Sequence, residues 1–568
     1  MASSLKVQGH DSHFKTKGRK TMFKANKRFL TSCRAALLIA AILMLPSTSL
    51  AAPSVAPDAS ADLISSRDTI VLTVNVGSGS GELGYSIQEG GKEGPEAFTV
   101  NADHSIFIAD NVHKRINVYK DGSFAYDIAV PYSHYIRSMA VGEDKVYLMD
   151  NDKGSVFITS LDGNLLQEVP APAGVDGYAM EKLYKDSAGK VWLSANQTSY
   201  PIGIPGEALS AAAAAGISES SKLPAALKKD HKTAQISRNG VNIEVSASEL
   251  LGSVNVLHAD QNNTLYVDLF DQVDTPKVSG EYTVRKYANN SLAAVAPIDL
   301  SSYYFTPNQM IELTANGDLY QILCLKDQVQ ITKKAFVPSA SFKSQLPQIK
   351  AKALQDEAAE ELQAKAITLA SNAPNSRSTT QTNANSMSAL TWTYKAANKV
   401  NPNSSKVTTP DYLVGAATGS TQTGIPYAWG GNDGLTTYSS SGWTSFADAM
   451  SKGKFAGNVN TDTAGYQSGT AGLDCSGFVG SAAGFTSKLS TTNLASSTYT
   501  YSIAASARQI YDIYVDSGSH VLFYVGVNGS SINTREATTT GDDKTKAYSR
   551  TTAYLSSEGY VLRRFNGW

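Results

Sequence analysis

Cys475 and His520 are the one cysteine and the one histidine in residues 388–568. A thiol and an imidazole far apart in sequence form a thiolate–imidazolium pair when a fold brings them together, and such a pair does nucleophilic acyl chemistry. Cys475 sits in Gly472-Leu473-Asp474-Cys475-Ser476-Gly477-Phe478-Val479-Gly480. Small and apolar residues after the cysteine predict that it opens a helix. There the positive end of the dipole favours thiolate and free N–H groups face a developing oxyanion. His520 begins the alternating run His520-Val521-Leu522-Phe523-Tyr524-Val525-Gly526, a strand and a rigid seat for a base.

Tyr511-Asp512-Ile513-Tyr514-Val515 predicts the strand before it, and Ile532-Asn533-Thr534-Arg535-Glu536-Ala537 the returning one. Pairing of the returning strand with the histidine strand would let Glu536 hold the imidazole and select its tautomer. Asn533 is the fallback for that position, and a solvated strand-end charge is the other reading of Glu536.

Three separated stretches now align with a known pattern: Gly424-Ile425-Pro426-Tyr427-Ala428-Trp429-Gly430-Gly431, Asp474-Cys475-Ser476-Gly477 and His520-Val521. With Asp512, whose preceding Tyr511 stands where a glycine is usual, their order resembles the NlpC-type cell-wall cysteine peptidases over roughly residues 395–568. The resemblance implies a papain-like α+β domain that hydrolyses stem-peptide bonds of peptidoglycan. It implies Cys475 as nucleophile, His520 as general base, Tyr427 and Asp474 lining the substrate groove, and Ser476 beside the oxyanion site. Two departures stand out. Between Gly431 and Asp474 lie 42 residues, a Gly/Ser/Thr-rich insertion with Trp443 and Phe446 that could cap the groove. Glu536-Ala537 stands where the family usually has another histidine.

The elements upstream read differently. A recurring β sentence runs through residues 63–345, as in Ser105-Ile106-Phe107-Ile108-Ala109-Asp110 with Arg115-Ile116-Asn117-Val118-Tyr119, and again in Lys145-Val146-Tyr147-Leu148-Met149-Asp150. Short strands with Asn/Asp/Gly turns at this period predict an all-β propeller of about six blades. Its first copy resembles the NHL repeat family; paired β-sandwiches are the alternative. Residues 204–230 interrupt the pattern as an inserted helix or loop. Residues 346–390 read as a linker, helical by propensity from Ile349 to Leu369 and flexible through the Ser/Thr/Asn/Gln-rich stretch 372–387. Two independently moving halves are the expectation, with 391–568 as the second.

Residues 1–51 read as a secretory signal peptide: a basic start, an apolar run from Ala35 to Leu45, and the small residues Ser49-Leu50-Ala51 before cleavage. Translation from Met22 would give a more ordinary leader. The apolar run is shorter than the about 20 residues a span requires, so no stable membrane span is expected after cleavage. A Pro/Ala/Ser tether follows over 52–62. A secreted or wall-associated bacterial protein is the implied location.

Composition sharpens this. The 568 residues carry 49 Lys+Arg and 50 Asp+Glu, a net of −1. Removing residues 1–34, with nine basic side chains and one acid, leaves 40 against 49, a net of −9. That excludes a cationic nucleic-acid binder, and it means that bulk charge does not hold the chain at an anionic wall. Cys33 lies in the leader and Cys324 between two leucines, where a thiol is a small buried hydrophobe. No Cys-x-x-Cys or His-Glu-x-x-His spacing occurs, so neither a metal nor another cofactor is expected.

The residues thus lead to an exported cysteine-type hydrolase, with peptidoglycan stem peptides as substrate and a protein or glycan ligand for the propeller. Two alternatives stay open: a surface binding protein without catalysis, and an amidase or acyl transferase using the same Cys475–His520 pair.

Overall fold

Alternating apolar strands and tight Asn/Asp/Gly turns build most of the chain into antiparallel sheets. The computed structural model describes residues 67–568 apart from 89, 134, 187–188, 196–197, 203–224, 229, 239–240, 260–263, 365–371, 464 and 529–530. The leader, the tether and most of the 204–230 interruption lie outside the described residues. The end of that interruption is a strand, Ala225–Leu227.

Six sheets follow one another in chain order among the described residues. The first comprises Phe98–Val100, Ile106–Asp110, Arg115–Lys120 and Ser123–Ala129. In the last, Thr69–Asn75 pairs with Gln328–Lys334, so the start of the described chain completes a sheet otherwise made by residues 311–334. Burial falls across a sheet: Ile106–Asp110 is wholly buried, whereas Ser123–Ala129 is largely exposed. Successive antiparallel meanders, the last completed by the first described strand, make this half propeller-like.

The repeated Asp-Asn pair has a structural purpose. Asn111 Nδ2 donates to the Ile136 carbonyl and Asn111 Oδ1 accepts from the Ile136 N–H, tying the first sheet to the second. Asn151 Nδ2 likewise donates to the Met180 carbonyl, tying the second sheet to the third.

After Leu346–Ala364, a helix seated on the fifth sheet through Leu346 and Ala353 against Val273, comes a departure from the sequence reading. The stretch taken as a flexible linker contains an α-helix, Arg377–Ser388. Ser376 caps it by accepting from the Thr379 N–H, and Thr380, Ala384 and Met387 form a buried stripe at helical spacing. Tertiary burial overrides the poor helix propensity of Ser, Thr and Asn.

The C-terminal sheet is antiparallel throughout, in the spatial order Thr500–Ser502, Val561–Phe565, Ile513–Asp516, His520–Asn528, Ser531–Thr538, Lys544–Thr551. The predicted return of the chain beside the histidine strand is thus present. The strand before it starts later than expected, at Ile513, because Tyr511 has φ +68°. That is the left-handed conformation glycine favours, at the position where the resembling family has glycine. The helix Cys475–Ala482 packs on this sheet: Phe478 and Val479 share a cluster with Val521, Phe523 and Met387.

The insertion after Gly431 is not a free flap. Trp443, Phe446, Ala449 and Met450 are buried in the same cluster, and Trp443 Nε1 donates to Asp433 Oδ1 at 2.6 Å.

Nor are the halves independent. The described residues form one unit. Phe270, Val284 and Met310 share one apolar cluster with Tyr514, Leu522, Tyr560 and Leu562. The buried ion pair Lys546–Asp152, at 2.9 Å, and Arg137 stacked 4.6 Å over Tyr548 add polar and aromatic contacts across the same junction. No helix among the described residues is long and apolar enough to cross a membrane.

Candidate active site

Cys475 is the first residue of its helix, as its sequence surroundings require. Asp474 caps that helix, accepting from the Gly477 N–H at 2.7 Å. The same carboxylate accepts from Ser476 Oγ and the Gly430 N–H, and pairs with Lys488 at 3.0 Å. Lys488 also donates to Ser476 Oγ at 2.7 Å. Asp474 and Ser476 are therefore joined in one network that fixes the helix start and the Gly430-Gly431 turn. Their side chains surround the start of the helix that carries Cys475.

The Cys475 thiol lies 3.9 Å from the carbonyl oxygen of Ser519, the residue before His520. His520 Nε2 stands 2.8 Å from Glu536 Oε2. A carboxylate accepts only, so the proton is on Nε2 and Nδ1 carries the lone pair of the neutral ring. That Nδ1 is buried and has no hydrogen-bond partner among the described residues.

Pleat alternation separates the two candidates for the third position. Glu536 lies on the face of its strand that is buried, with Ile532 and Thr534, whereas Asn533 alternates to the other face. Glu536 is fully buried and completely engaged. Its Oε1 accepts from Thr534 Oγ1 at 2.7 Å and Arg550 Nε at 3.3 Å, and its Oε2 from Arg550 Nη2 at 2.8 Å as well as His520. Burial alone would raise the Glu536 carboxyl. The Arg550 guanidinium, helped by His520, outweighs it and holds the carboxyl well below the usual range. Burial would likewise lower Arg550, but the Glu536 carboxylate keeps it charged. The guanidinium is stacked between Tyr548 and Tyr554, 4.5 and 4.9 Å from their ring centroids.

Arg550 and Thr534 escaped the sequence reading. Their signal is two-residue alternation: Thr534, Glu536, Tyr548 and Arg550 share one face once Glu536 pairs with Lys546.

Tyr427 is buried, and its N–H donates to the Asp543 carbonyl at 2.7 Å. Asp512, the other residue of the resembling pattern, accepts from Arg377 and Arg564, each at 2.8 Å, and from the Gln509 N–H. It ties the helix Arg377–Ser388 to the sheet. Cys475 and His520 are 1% and 4% exposed. Cys324 is buried and unbridged in the last propeller-like sheet.

No protein-family model matches the chain, and no curated protein matches it. Solved structures similar to it include virginiamycin B lyase from Staphylococcus aureus, at 11% identity and TM-score 0.26 over 47% of this chain and 98% of that one. A member of the DUF4221 family from Bacteroides vulgatus has 9% identity and TM-score 0.31 over 48% and 99%. Hydrazine synthase from Kuenenia stuttgartiensis has 12% identity and TM-score 0.25 over 43% and 76%. Likenesses at this level carry no argument about the chemistry of this chain.

Proposed function

We propose that the chain is an exported cysteine-type peptidoglycan endopeptidase whose C-terminal part is an NlpC-like, papain-like α+β domain. One observation carries the reading. His520 is gripped at Nε2 by a buried carboxylate and left open at Nδ1, while the Cys475 thiol sits at the residue that precedes it. A nucleophile–base pair needs the thiol within reach of the open imidazole nitrogen, and a thiol beside the residue that precedes His520 supports that reading. The left-handed Tyr511 at the family's glycine position is consistent with it. The substrate class rests on the resemblance of the motif set, and export on the leader.

In this mechanism Nδ1 of His520 takes the Cys475 proton and the sulfur attacks the carbonyl carbon of a stem-peptide bond. A C–S bond forms, and N–H groups at the helix start stabilise the oxyanion. The C–N bond then breaks as His520 protonates the leaving amine. Water, deprotonated by His520, cleaves the thioester and restores the thiol. Glu536 and Arg550 are positioning residues: they fix the tautomer and stabilise the imidazolium. The propeller-like half serves as the targeting or substrate-binding module, with about six blades and NHL-like repeats.

Purified cell walls digested by the chain should release cut stem peptides, seen by mass spectrometry, and Cys475→Ala should release none. Equal release by that variant would overturn the assignment. The occlusion of Cys475 favours a second reading, a wall-binding protein without turnover, which requires that the thiol stay inert. An amidase or acyl transferase would use the same pair on a different bond, which the masses of the products decide.

A further inference from the structure

A small hairpin stands outside the six propeller-like sheets. Ser86–Gln88 pairs with Gly91–Glu93, and the turn carries Gly90 with φ +91°. Its tip meets the C-terminal half at the end of the strand that carries Glu536. The Gly90 carbonyl accepts from Thr538 Oγ1 at 2.7 Å and from the Thr539 N–H at 3.1 Å. Thr538 Oγ1 in turn lies 3.4 Å from Arg550 Nη2, which holds Glu536. A side chain at Gly90 would meet the Tyr427 hydroxyl, and one at Gly91 would meet Thr539 Oγ1 and the Thr540 N–H, both 2.6 Å from its Cβ position. Lys92 pairs with Glu558, and Glu93 Oε1 accepts from the Gly541 N–H at 3.0 Å. Only backbone fits here, and backbone is what occupies the space.

The fit is incomplete. Thr539 Oγ1 and Thr540 Oγ1 are buried without a hydrogen-bond partner among the described residues. A buried hydroxyl without a partner is unfavourable. An occupant that pairs these hydroxyls would therefore displace one that does not.

We propose that hairpin 86–93 is an intramolecular strap across the substrate groove. Its Gly90-Gly91 tip holds the place of a peptide backbone beside Tyr427 and Thr538, and a peptide able to pair Thr539 and Thr540 displaces it. This rests on the reading of Cys475 and Tyr427 as parts of a peptidase groove. The tip stands against Tyr427, and Cys475 on the neighbouring helix is buried. The strap comes from the propeller-like half, so release couples that half to the active site.

The test is the rate at which iodoacetamide alkylates Cys475 in the folded full chain, located by peptide mapping to separate it from Cys324. Gly91→Val puts methyl groups where Thr539 and Thr540 stand; Lys92→Glu, which sets like charges against Glu558, is the second variant should the first not fold. Hydrogen exchange at the Thr539 amide reports whether the tip has left. With the tip displaced, alkylation should rise by about tenfold or more. Fast exchange at Thr539 with unchanged alkylation would overturn the strap. Faster alkylation without any release of wall peptides would sustain the strap and overturn the peptidase reading.

Discussion

His520 and Arg550 converge on one oxygen: both approach Oε2 of Glu536 at 2.8 Å. The carboxylate is thereby shared between an imidazole that the proposed mechanism would protonate and a guanidinium that stays charged. Arg550 keeps Glu536 ionised, and Glu536 keeps the His520 proton on Nε2. The contacts run from Arg550 on strand Lys544–Thr551 through Glu536 to His520, beside which the Cys475 thiol lies.

Glu536→Gln should lower kcat by about 10²–10⁴-fold with little change in KM, because the amide no longer selects the tautomer or stabilises the imidazolium. The pH–rate profile should shift on its acid limb, and Glu536→Asp should recover part of the rate. A purely structural role would leave the profile in place.

Arg550→Met should destabilise the fold by about 3–5 kcal/mol in denaturant titration, since it leaves a buried carboxylate without its cation. Adding Glu536→Gln should restore much of that loss, a coupling visible in a double-mutant cycle. Acid should remove the difference. The Glu536 carboxyl is depressed in the fold, so its contribution is full above the ordinary glutamate value of 4.5 and is lost as pH falls toward its lowered one.

Docking of the hairpin should weaken with rising pH. Burial pushes the Glu93 carboxyl up to about 7, against the Gly541 N–H that lowers it and with the Asp411, Asp152 and Glu96 carboxylates that raise it further. Lys546 faces the same nest but is paired with Asp152. A raised carboxyl favours the docked state fully below the ordinary 4.5 and loses that advantage up to about 7. Exchange at the Thr539 amide, corrected for its intrinsic pH dependence, should quicken across that window in the wild type and stay flat in Glu93→Gln.

Met387→Ala should cost about 2–5 kcal/mol, because the side chain is fully buried in the cluster under the cysteine helix. A solvated linker there would give no change in the melting temperature.

Much of the site was legible because its residues carry local signals. Cys475 stands after a capping aspartate, His520 starts an alternating strand, and Glu536 lies on the strand that returns beside it. Arg550 was not, because its partnership depends on a register set across residues 539–543. The helix Arg377–Ser388 was hidden by its Ser/Thr/Asn content, although Thr380, Ala384 and Met387 repeat at helical spacing. The hairpin contact joins residues 448 apart, beyond any periodicity a strand or helix imposes. The propeller-like half was legible as strands and turns, while its seating on the C-terminal sheet depends on apolar faces that strand patterning alone does not pair.

The central claim is that Cys475 cuts peptide bonds in the wall. Mass spectrometry of soluble products from purified peptidoglycan, treated with the wild type, Gly91→Val and Gly91→Val/Cys475→Ala, tests it most directly. The account predicts cleaved stem peptides from the first, more from the second and none from the third. Cleaved stem peptides from the third, or none from either of the others, would contradict it.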